Sequence, residues 1–286
     1  MAPGLSTAVD SISSALRRDL PRVTVVTVVR NQVDEIERTL DSVIGQDYPA
    51  LEYLVVDGGS ADGTLDAIRR VESRLTQWVS GADGGPYGGM NRGAAMATGE
   101  WIIFMNGGDR FASNDVVRRV FERSDVRAHD VLYGDAIVDG PGYRALERSA
   151  DHASLSDGNG FPHQAAFVRT PLQVLHGFDM TERIAADYDF FLKLRRAGAS
   201  FHHVDVVVCE FFLGGISSLS RGDTLRLRHR VYKKHFARSD AVLYAKLAAL
   251  SMKIAVRALL PTRLWRAAKR LIHGDRILHL DAGTDR

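Results

Sequence analysis

The chain has 286 residues, of which 45% are hydrophobic and 25% are charged, and its formal net charge is +2. This composition excludes a disordered or fibrous protein, and the length suits one large globular domain with an appendage. The single cysteine, Cys209, excludes an intrachain disulfide and favours a reducing compartment. Because it lies in an apolar run, we expect it to be a small buried hydrophobe.

Charge is distributed unevenly along the chain. Residues 221–276 contain 15 Lys and Arg against 3 Asp and Glu, whereas the remainder has 22 basic and 32 acidic residues. This segregation predicts a polyanionic partner for the C-terminal part alone. Residues 1–20 have no continuous apolar segment, so we predict no signal peptide. We expect a poorly ordered leader there, with a short amphipathic helix as the alternative.

From residue 23 the hydrophobic pattern alternates between strands and helices. It predicts buried strands at 23–29, 53–57, 76–79 and 101–105. It predicts helices at 34–44, 62–75, 86–98 and 114–122. Gly99 is expected to cap the third helix. Further on, strands are predicted at 131–133, 165–168 and 204–209, and a helix at 187–197. This order predicts a parallel αβα sandwich with ligands beyond the carboxyl ends of its strands.

Small, polar and acidic residues cluster where three of these strands end. They are Thr27 and Asn31 at the first strand, Asp57 and Ser60 at the second, and Asn106 and Asp109 at the strand 101–105. Intervening glycines allow a ligand close to the backbone, and a carboxylate can bind a ribose or a hard cation. For Asp57-Gly-Gly-Ser60, a turn followed by a helix cap is an equally good interpretation.

The sequence lacks the usual glycine-rich phosphate-binding motifs. There is no Gly-x-Gly-x-x-Gly after the first strand and no Gly-x-x-x-x-Gly-Lys-Ser/Thr. A nucleotide in this crevice therefore needs another partner for its phosphates. A divalent cation held by Asp109 would serve.

Four motifs together resemble the family 2 glycosyltransferases, most closely the colanic-acid and mycobacterial glycolipid branch. They are VVDGGSADGT (55–64), DGGPYGGMNRG (83–93), ATGEW (97–101) and FMNGGD (104–109). The resemblance extends over residues 23–217. It implies a GT-A fold, a Rossmann-like αβα sandwich with a mostly parallel central sheet, which binds a nucleoside-diphosphate sugar.

The resemblance also implies roles on the donor side. Residues expected to bind the nucleotide sugar are Thr27, Asn31, Asp57, Ser60, Asp83, Asn91, Arg92 and Asn106. Asp109 matches the last carboxylate of the family's Asp-x-Asp motif, which holds Mg²⁺ or Mn²⁺. Asn106 and Gly108 stand where many members carry acids, so we expect a weaker site completed by water and the diphosphate. Whether metal is strictly required stays open.

On the acceptor side, the resemblance places the catalytic base at Asp187. An inverting transfer needs a base to take the proton of the attacking hydroxyl. Asp187 begins a predicted helix, so an N-cap role is the alternative, and the two are compatible. His163 is expected either to contact the diphosphate or acceptor or to be structural. Further candidates for the acceptor or diphosphate side are Gln164, Asp189, which is structural or acceptor-binding, and Ser217.

The basic C-terminal segment predicts amphipathic helices. Lys246, Lys253 and Arg257 interrupt the apolar run 241–260 and disfavour a transmembrane span. Basic residues beside apolar stripes suit a helix on an anionic membrane surface, and packing on the catalytic domain is the alternative. No nucleic-acid-binding motif accompanies the segment, so nucleic acid is not an expected partner.

We therefore divide the chain into a leader (1–20), a GT-A domain (21–220) and a basic helical segment (221–286). Within the domain, residues 21–125 would bind the nucleotide sugar and residues 126–220 the acceptor. The expected protein is an inverting hexosyltransferase, peripheral on the cytoplasmic face of the plasma membrane, that glycosylates a glycolipid or lipid-linked saccharide. The alternatives are a sugar-nucleotide nucleotidyltransferase and a non-catalytic saccharide- or lipid-binding protein.

Overall fold

The computed structural model of the protein describes residues 20–122, 128–140, 143–157, 160–212, 221–237, 239–259 and 277–279. The predicted leader up to residue 19, Ser217 and most of the tail beyond residue 259 lie outside these ranges. Statements below concern the described residues.

The described strands join in one mixed sheet. They are β1 (Val23–Val29), β2 (Leu51–Asp57), β3 (Gln77–Ser80), β4 (Trp101–Phe104), β5 (Arg110–Phe111), β6 (Val131–Gly140), β7 (Tyr143–Glu147), β8 (Ala166–Arg169), β9 (Phe201–Phe212) and β10 (Ile277–His279). Their order is β10-β7-β6-β8-β4-β1-β2-β3, with β9 paired to β6 and β5 paired to β9.

Helices cover both faces of this sheet. They are α1 (Val33–Ile44), α2 (Thr64–Arg70), α3 (Pro86–Met96), α4 (Val116–Phe121), α5 (Thr170–His176), α6 (Ala186–Arg196), α7 (Arg221–His235) and α8 (Asp240–Leu259). Alternate residues of the buried strands face opposite layers, as strand geometry requires. Val25 and Val55 pack with α1, α2 and α4 on one face, whereas Val26 and Val56 pack with α3 and α6 on the other.

Strands β3, β2, β1 and β4 are parallel, as the sequence predicts. The register pairs Val29 with Asp57, so the loops that follow β1 and β2 leave the sheet side by side. Strand β8 runs antiparallel to β4 and joins the second half of the chain to the centre of the sheet. The sandwich is therefore confirmed, but its second half is mixed rather than parallel.

Some predicted bounds and roles are wrong. Helix α3 ends at Met96 with Ala97 as an extended C-cap, so Gly99 is not its cap. Instead, a Cβ on Gly99 would lie 2.6 Å from Thr24 Oγ1, and only glycine fits beside β1. Strands β6 and β9 are longer than predicted because they pair along their length in parallel. Cys209 is free and fully buried, as expected.

Candidate active site

The loops that follow β1 and β2 hold each other by short hydrogen bonds. The Asp57 carboxylate accepts bonds from the backbone N–H groups of Gly59 and Ser60, each at 3.0 Å, and from the Ser80 hydroxyl at 2.6 Å. Asn31, in a left-handed conformation with φ 51°, accepts a bond from the Ala61 N–H and donates its own N–H to Ser60 Oγ. Asp57 is fully buried and shapes this loop, which leaves the exposed Asn31 at the surface.

Thr27 lies beneath this surface. It is fully buried, and its hydroxyl is 2.9 Å from the Tyr53 hydroxyl on β2. This hydrogen bond connects β1 to β2 beneath the loops that follow them. Its contribution to nucleotide binding stays a prediction.

Asp83 occupies a slot between two glycines. A Cβ on Gly58 would lie 3.0 Å from Asp83 Oδ2, and one on Gly89 would lie 2.7 Å from the same oxygen. The other carboxylate oxygen accepts the Gly85 N–H at 2.9 Å, just before α3 begins. The glycines of the Asp83–Gly93 motif thus let α3 press against β1 and bring this carboxylate beside the β2 loop.

Asn91 and Arg92, on α3, face different surroundings. The Asn91 amide forms two hydrogen bonds with the backbone of Phe178, donating to its carbonyl at 2.9 Å and accepting from its N–H at 2.8 Å. This pair fixes α3 to the segment that leads to α6. Arg92 is exposed. Their contact with a nucleotide stays a prediction.

Asp109 is held in place through α1. The Thr39 hydroxyl donates to the Asp109 carbonyl at 2.7 Å and accepts the Gly108 N–H at 3.0 Å. Gln32 donates to the Gly107 carbonyl at 3.1 Å. Gly108 has φ 92°, a conformation that an L-residue rarely adopts. The loop therefore turns sharply at Gly108, in a conformation that glycine adopts without strain.

Two oxygens at this turn suit a hard cation. Burial raises the pKa of the Asp109 carboxyl to about 7, although His163 and a hydrogen bond from Gln164 act to lower it. Asn106 Oδ1 is buried and accepts no hydrogen bond. A divalent cation would satisfy both groups by displacing the proton and filling the empty acceptor. Among the described residues no three His, Cys, Asp or Glu side chains group around a cation, so other ligands would be water and substrate.

His163 connects the Asp109 turn to Asp187. Its Nε2 lies 3.4 Å from Asn106 Nδ2, and its Nδ1 lies 3.5 Å from Asp187 Oδ2. Gln164 reaches Asp109 by a side-chain hydrogen bond. Predicted donor-side and acceptor-side residues, 57 positions apart in the case of Asn106 and His163, therefore share one site.

Asp187 lies in the first turn of α6, where the helix dipole favours a negative charge. Burial acts to raise the pKa of its carboxyl, but the hydrogen bond and charge of His163, the hydrogen bond of the Tyr188 N–H and the charge of Arg228 together outweigh burial. The net pKa is lowered, so the carboxylate is ionised at neutral pH. With 32% of its side chain exposed, it can meet a substrate hydroxyl. Ala185, not Asp187, is the N-cap residue.

Comparison with known proteins identifies the family to which this chain belongs. The family described as "Glycosyl transferase family 2" matches residues 24–179. The chain is a family 2 glycosyltransferase. It is 34% identical over 211 residues to an uncharacterised glycosyltransferase of Mycobacterium tuberculosis, covering 69% of this chain and 78% of the relative.

Two further likenesses support the family and the fold. A PGL/p-HBAD biosynthesis glycosyltransferase of Mycobacterium bovis is 29% identical, with 69% of this chain and 80% of the relative covered. A solved mannosyltransferase from Pyrobaculum calidifontis, in complex with GDP-Man and Mn²⁺, superposes with a TM-score of 0.59. It is 21% identical and covers 90% of this chain and 81% of its own, which establishes the GT-A fold.

Asp189 is surrounded by basic side chains of α6 and α7. It is fully buried and lies 2.8 Å from Lys193 Nζ on α6, 2.7 Å from His235 Nε2 and 3.1 Å from Lys234 Nζ on α7. Two lysines and a histidine surround one carboxylate, so Asp189 joins α6 to α7. Of the two roles predicted for it, the described contacts support the structural one.

Sequence reasoning missed three residues of this glycosyltransferase's site. Thr39 shapes the Asp109 turn, as described above. Tyr87 lies against Asp187, and burial and the Asp187 charge together raise the pKa of its hydroxyl. Arg228 reaches Asp187 from α7. Tyr87 stands inside the Asp83–Gly93 motif, which offered a signal, whereas a threonine on an amphipathic helix and an arginine in a basic segment look ordinary.

Proposed function

We propose that this glycosyltransferase transfers a hexose from a nucleoside-diphosphate sugar to a hydroxyl group with inversion, using Asp187 as the base. The observation that supports the proposal is the position of His163, which contacts Asn106 in the Asp109 turn on one side and Asp187 on the other. A donor diphosphate at Asp109 would put its sugar next to the base.

The chemistry follows from these positions. The acceptor oxygen attacks the anomeric carbon as Asp187 takes its proton, and the bond from that carbon to the diphosphate oxygen breaks with its electron pair. A divalent cation on Asp109 and Asn106 would stabilise the charge of the departing diphosphate. His163 orients the base by its contact with Asp187 Oδ2. Thr39 keeps the Asp109 turn in place.

One crossed experiment tests this assignment. Asp187→Asn removes the base and is expected to lower transfer by about 10²–10⁴-fold while donor binding is kept. Asp109→Asn is expected to abolish the Mn²⁺-dependent rise in melting temperature with UDP- or GDP-sugars, because ligand binding raises stability by mass action. Wild-type turnover by Asp187→Asn would overturn the base assignment. A Mn²⁺-dependent shift that persists in Asp109→Asn would overturn the metal assignment.

We further propose that the acceptor is a glycolipid or lipid-linked saccharide at the cytoplasmic face of the membrane. The support is the glycolipid-biosynthesis name of the M. bovis relative and the surface of α8. Tyr244 and Met252, eight residues apart on that helix, are 68% and 70% exposed. Of the described helices, none combines the length and hydropathy needed to cross a bilayer. An exposed apolar stripe on a basic helix suits lateral contact with anionic lipid.

Flotation with anionic vesicles tests the membrane contact. The double variant Tyr244→Ser, Met252→Ser is expected to bind vesicles containing phosphatidylserine several-fold more weakly than the wild type. Val33→Ser, which removes an exposed apolar side chain on α1, is the control and should float like the wild type. Equal flotation of the double variant and the wild type would contradict the proposed membrane contact of α8. It would not affect the proposed transfer reaction.

A further inference from the structure

Helix α7 is fixed against the segment that carries the base. Lys234 Nζ lies 2.8 Å from Asp179 Oδ2 and 3.1 Å from Glu182 Oε1, and Arg230 lies 2.8 Å from Glu182. On the same helix, Val231 is only 1% exposed. These contacts give α7 a defined position, although it belongs by sequence to the basic tail.

From this position α7 places Arg228 at the base. The guanidinium carbon lies 5.7 Å from the centroid of the Tyr188 ring, next in sequence to Asp187. The Arg228 charge acts on Asp187 strongly enough to help lower the pKa of its carboxyl. Arg228 is also exposed, so a bound molecule can reach it. An exposed cation therefore lies against the residue next to Asp187, close enough for its charge to act on that carboxylate.

A cation beside Asp187 would help the proposed reaction by attracting a negatively charged substrate. Asp187 is ionised at neutral pH, and its carboxylate would repel a phosphate that approaches it. A guanidinium binds phosphate oxygens through two parallel hydrogen bonds and stays charged at every physiological pH. Its stacking near an aromatic ring also restricts where the charge can point.

We propose that Arg228 forms an anion subsite beside Asp187 that binds a phosphate group of the substrates. This inference rests on the proposed function. The phosphate belongs either to the donor diphosphate or to a phosphate-bearing acceptor. Both present the same oxygens, and binding measurements separate them.

The first measurement is calorimetric titration of the full chain with UDP and GDP in the presence of Mn²⁺. Arg228→Gln is expected to weaken the nucleoside diphosphate that binds the wild type by about tenfold or more if the donor is the source. Uridine or guanosine should bind both proteins alike. Arg226→Gln is the matched control, because Arg226 is exposed on the same helix and pairs with Asp223 at 3.1 Å. It should bind like the wild type.

The second measurement covers an acceptor phosphate. If the acceptor is the source instead, inorganic phosphate added at saturating nucleoside diphosphate should raise the melting temperature of the wild type and of Arg226→Gln, but not that of Arg228→Gln. If Arg228→Gln matches the wild type in both measurements, the subsite is overturned. Failure of the wild type to bind any nucleoside diphosphate would instead contradict the proposed function. A guanidinium-specific site further predicts that Arg228→Lys recovers only part of the lost affinity.

Discussion

At the scale of single residues, the pKa of Asp187 depends on neighbours with opposite effects. Burial raises it, and His163, the Tyr188 N–H and Arg228 together lower it by more, His163 most of all. Because the proposed base must be ionised to accept a proton, His163 is expected to extend activity towards acidic pH. A nearby positive charge and a hydrogen bond to the carboxylate both favour its ionised form.

Replacing His163 by glutamine should therefore move the pH profile. Without the histidine charge, the pKa of Asp187 rises, and the acid limb of kcat/KM shifts to higher pH. The expected loss is greatest at the acid end and vanishes where Asp187 is ionised in both proteins. A pH–rate series checks this, with His152→Gln, another partly exposed histidine, as control. An acid limb that stays in place would contradict the role of His163.

The candidate site was predictable where residue type and chemistry coincide. Asp109, His163 and Asp187 were named from motifs, and the structure brings them together. The functions of Asp57 and Asn91 were less accessible, because a motif gives a position and not a partner. Asp57 is satisfied by its own loop, and Asn91 by the Phe178 backbone. Such hydrogen bonds depend on which distant segment packs next to the residue, and the local sequence does not indicate this.

At the scale of elements, α3 joins the loop after β3 to the segment that leads to α6. Asp83 lies just before its first residue, Tyr87 lies in its first turn, and Asn91 ties its middle to Phe178. Gly93 allows close approach, since a Cβ there would lie 2.3 Å from Val26 Cγ1. The helix is thus placed by contacts on three sides.

Asn91→Ala distinguishes a clamp from a nucleotide ligand. The clamp predicts a loss of about 1–3 kcal/mol in the free energy of unfolding, because the Phe178 N–H and carbonyl lose their partners. Urea denaturation measures this, and titration with the nucleoside diphosphate measures binding. Arg92→Ala is the neighbouring control and should change stability by less than about 0.5 kcal/mol. Unchanged stability with weakened nucleotide binding would show that Asn91 is a ligand instead.

At the scale of the whole molecule, the predicted boundary at residue 220 divides a continuous unit. Helix α7 packs on the domain through Val231 and supplies Lys234 and His235, two of the three partners around Asp189. Packing on the domain was the alternative considered for the tail, and the described contacts support it for α7. The exposed α8 keeps the membrane interpretation. A charge count could not separate the two helices, because both are basic.

Truncation tests this boundary. A chain of residues 1–240 keeps α7 and Asp240, the partner of His229, but loses α8 and the edge strand β10. A chain of residues 1–220 also leaves Asp189 buried without Lys234 and His235, and we expect it to be less stable than the longer chain by about 3 kcal/mol. For a domain of this size that corresponds to a melting temperature lower by about 6–12 °C. Equal melting of the two truncated chains would restore the boundary at residue 220.

The fold itself was largely predictable, since continuous apolar runs predict buried parallel strands. The mixed second half was less so. Strand β5 has two residues and pairs with β9, about a hundred positions away, so no local pattern marks it. Long-range pairing of this kind is decided by the packing of the complete chain.

The antiparallel pairing of β8 with β4 has a mechanical consequence. Trp101 pairs with Arg169 and Ile102 with Val168, which joins residues 21–125 to residues 126–220 in the middle of one hydrogen-bonded sheet. A hinge between these two segments would have to break this ladder. We therefore expect any enclosure of a bound substrate to come from the loops around the edge of the sheet. Chimaeras that replace residues 21–125 or 126–220 by those of another protein should lose stability at the β4–β8 pair before they change substrate specificity.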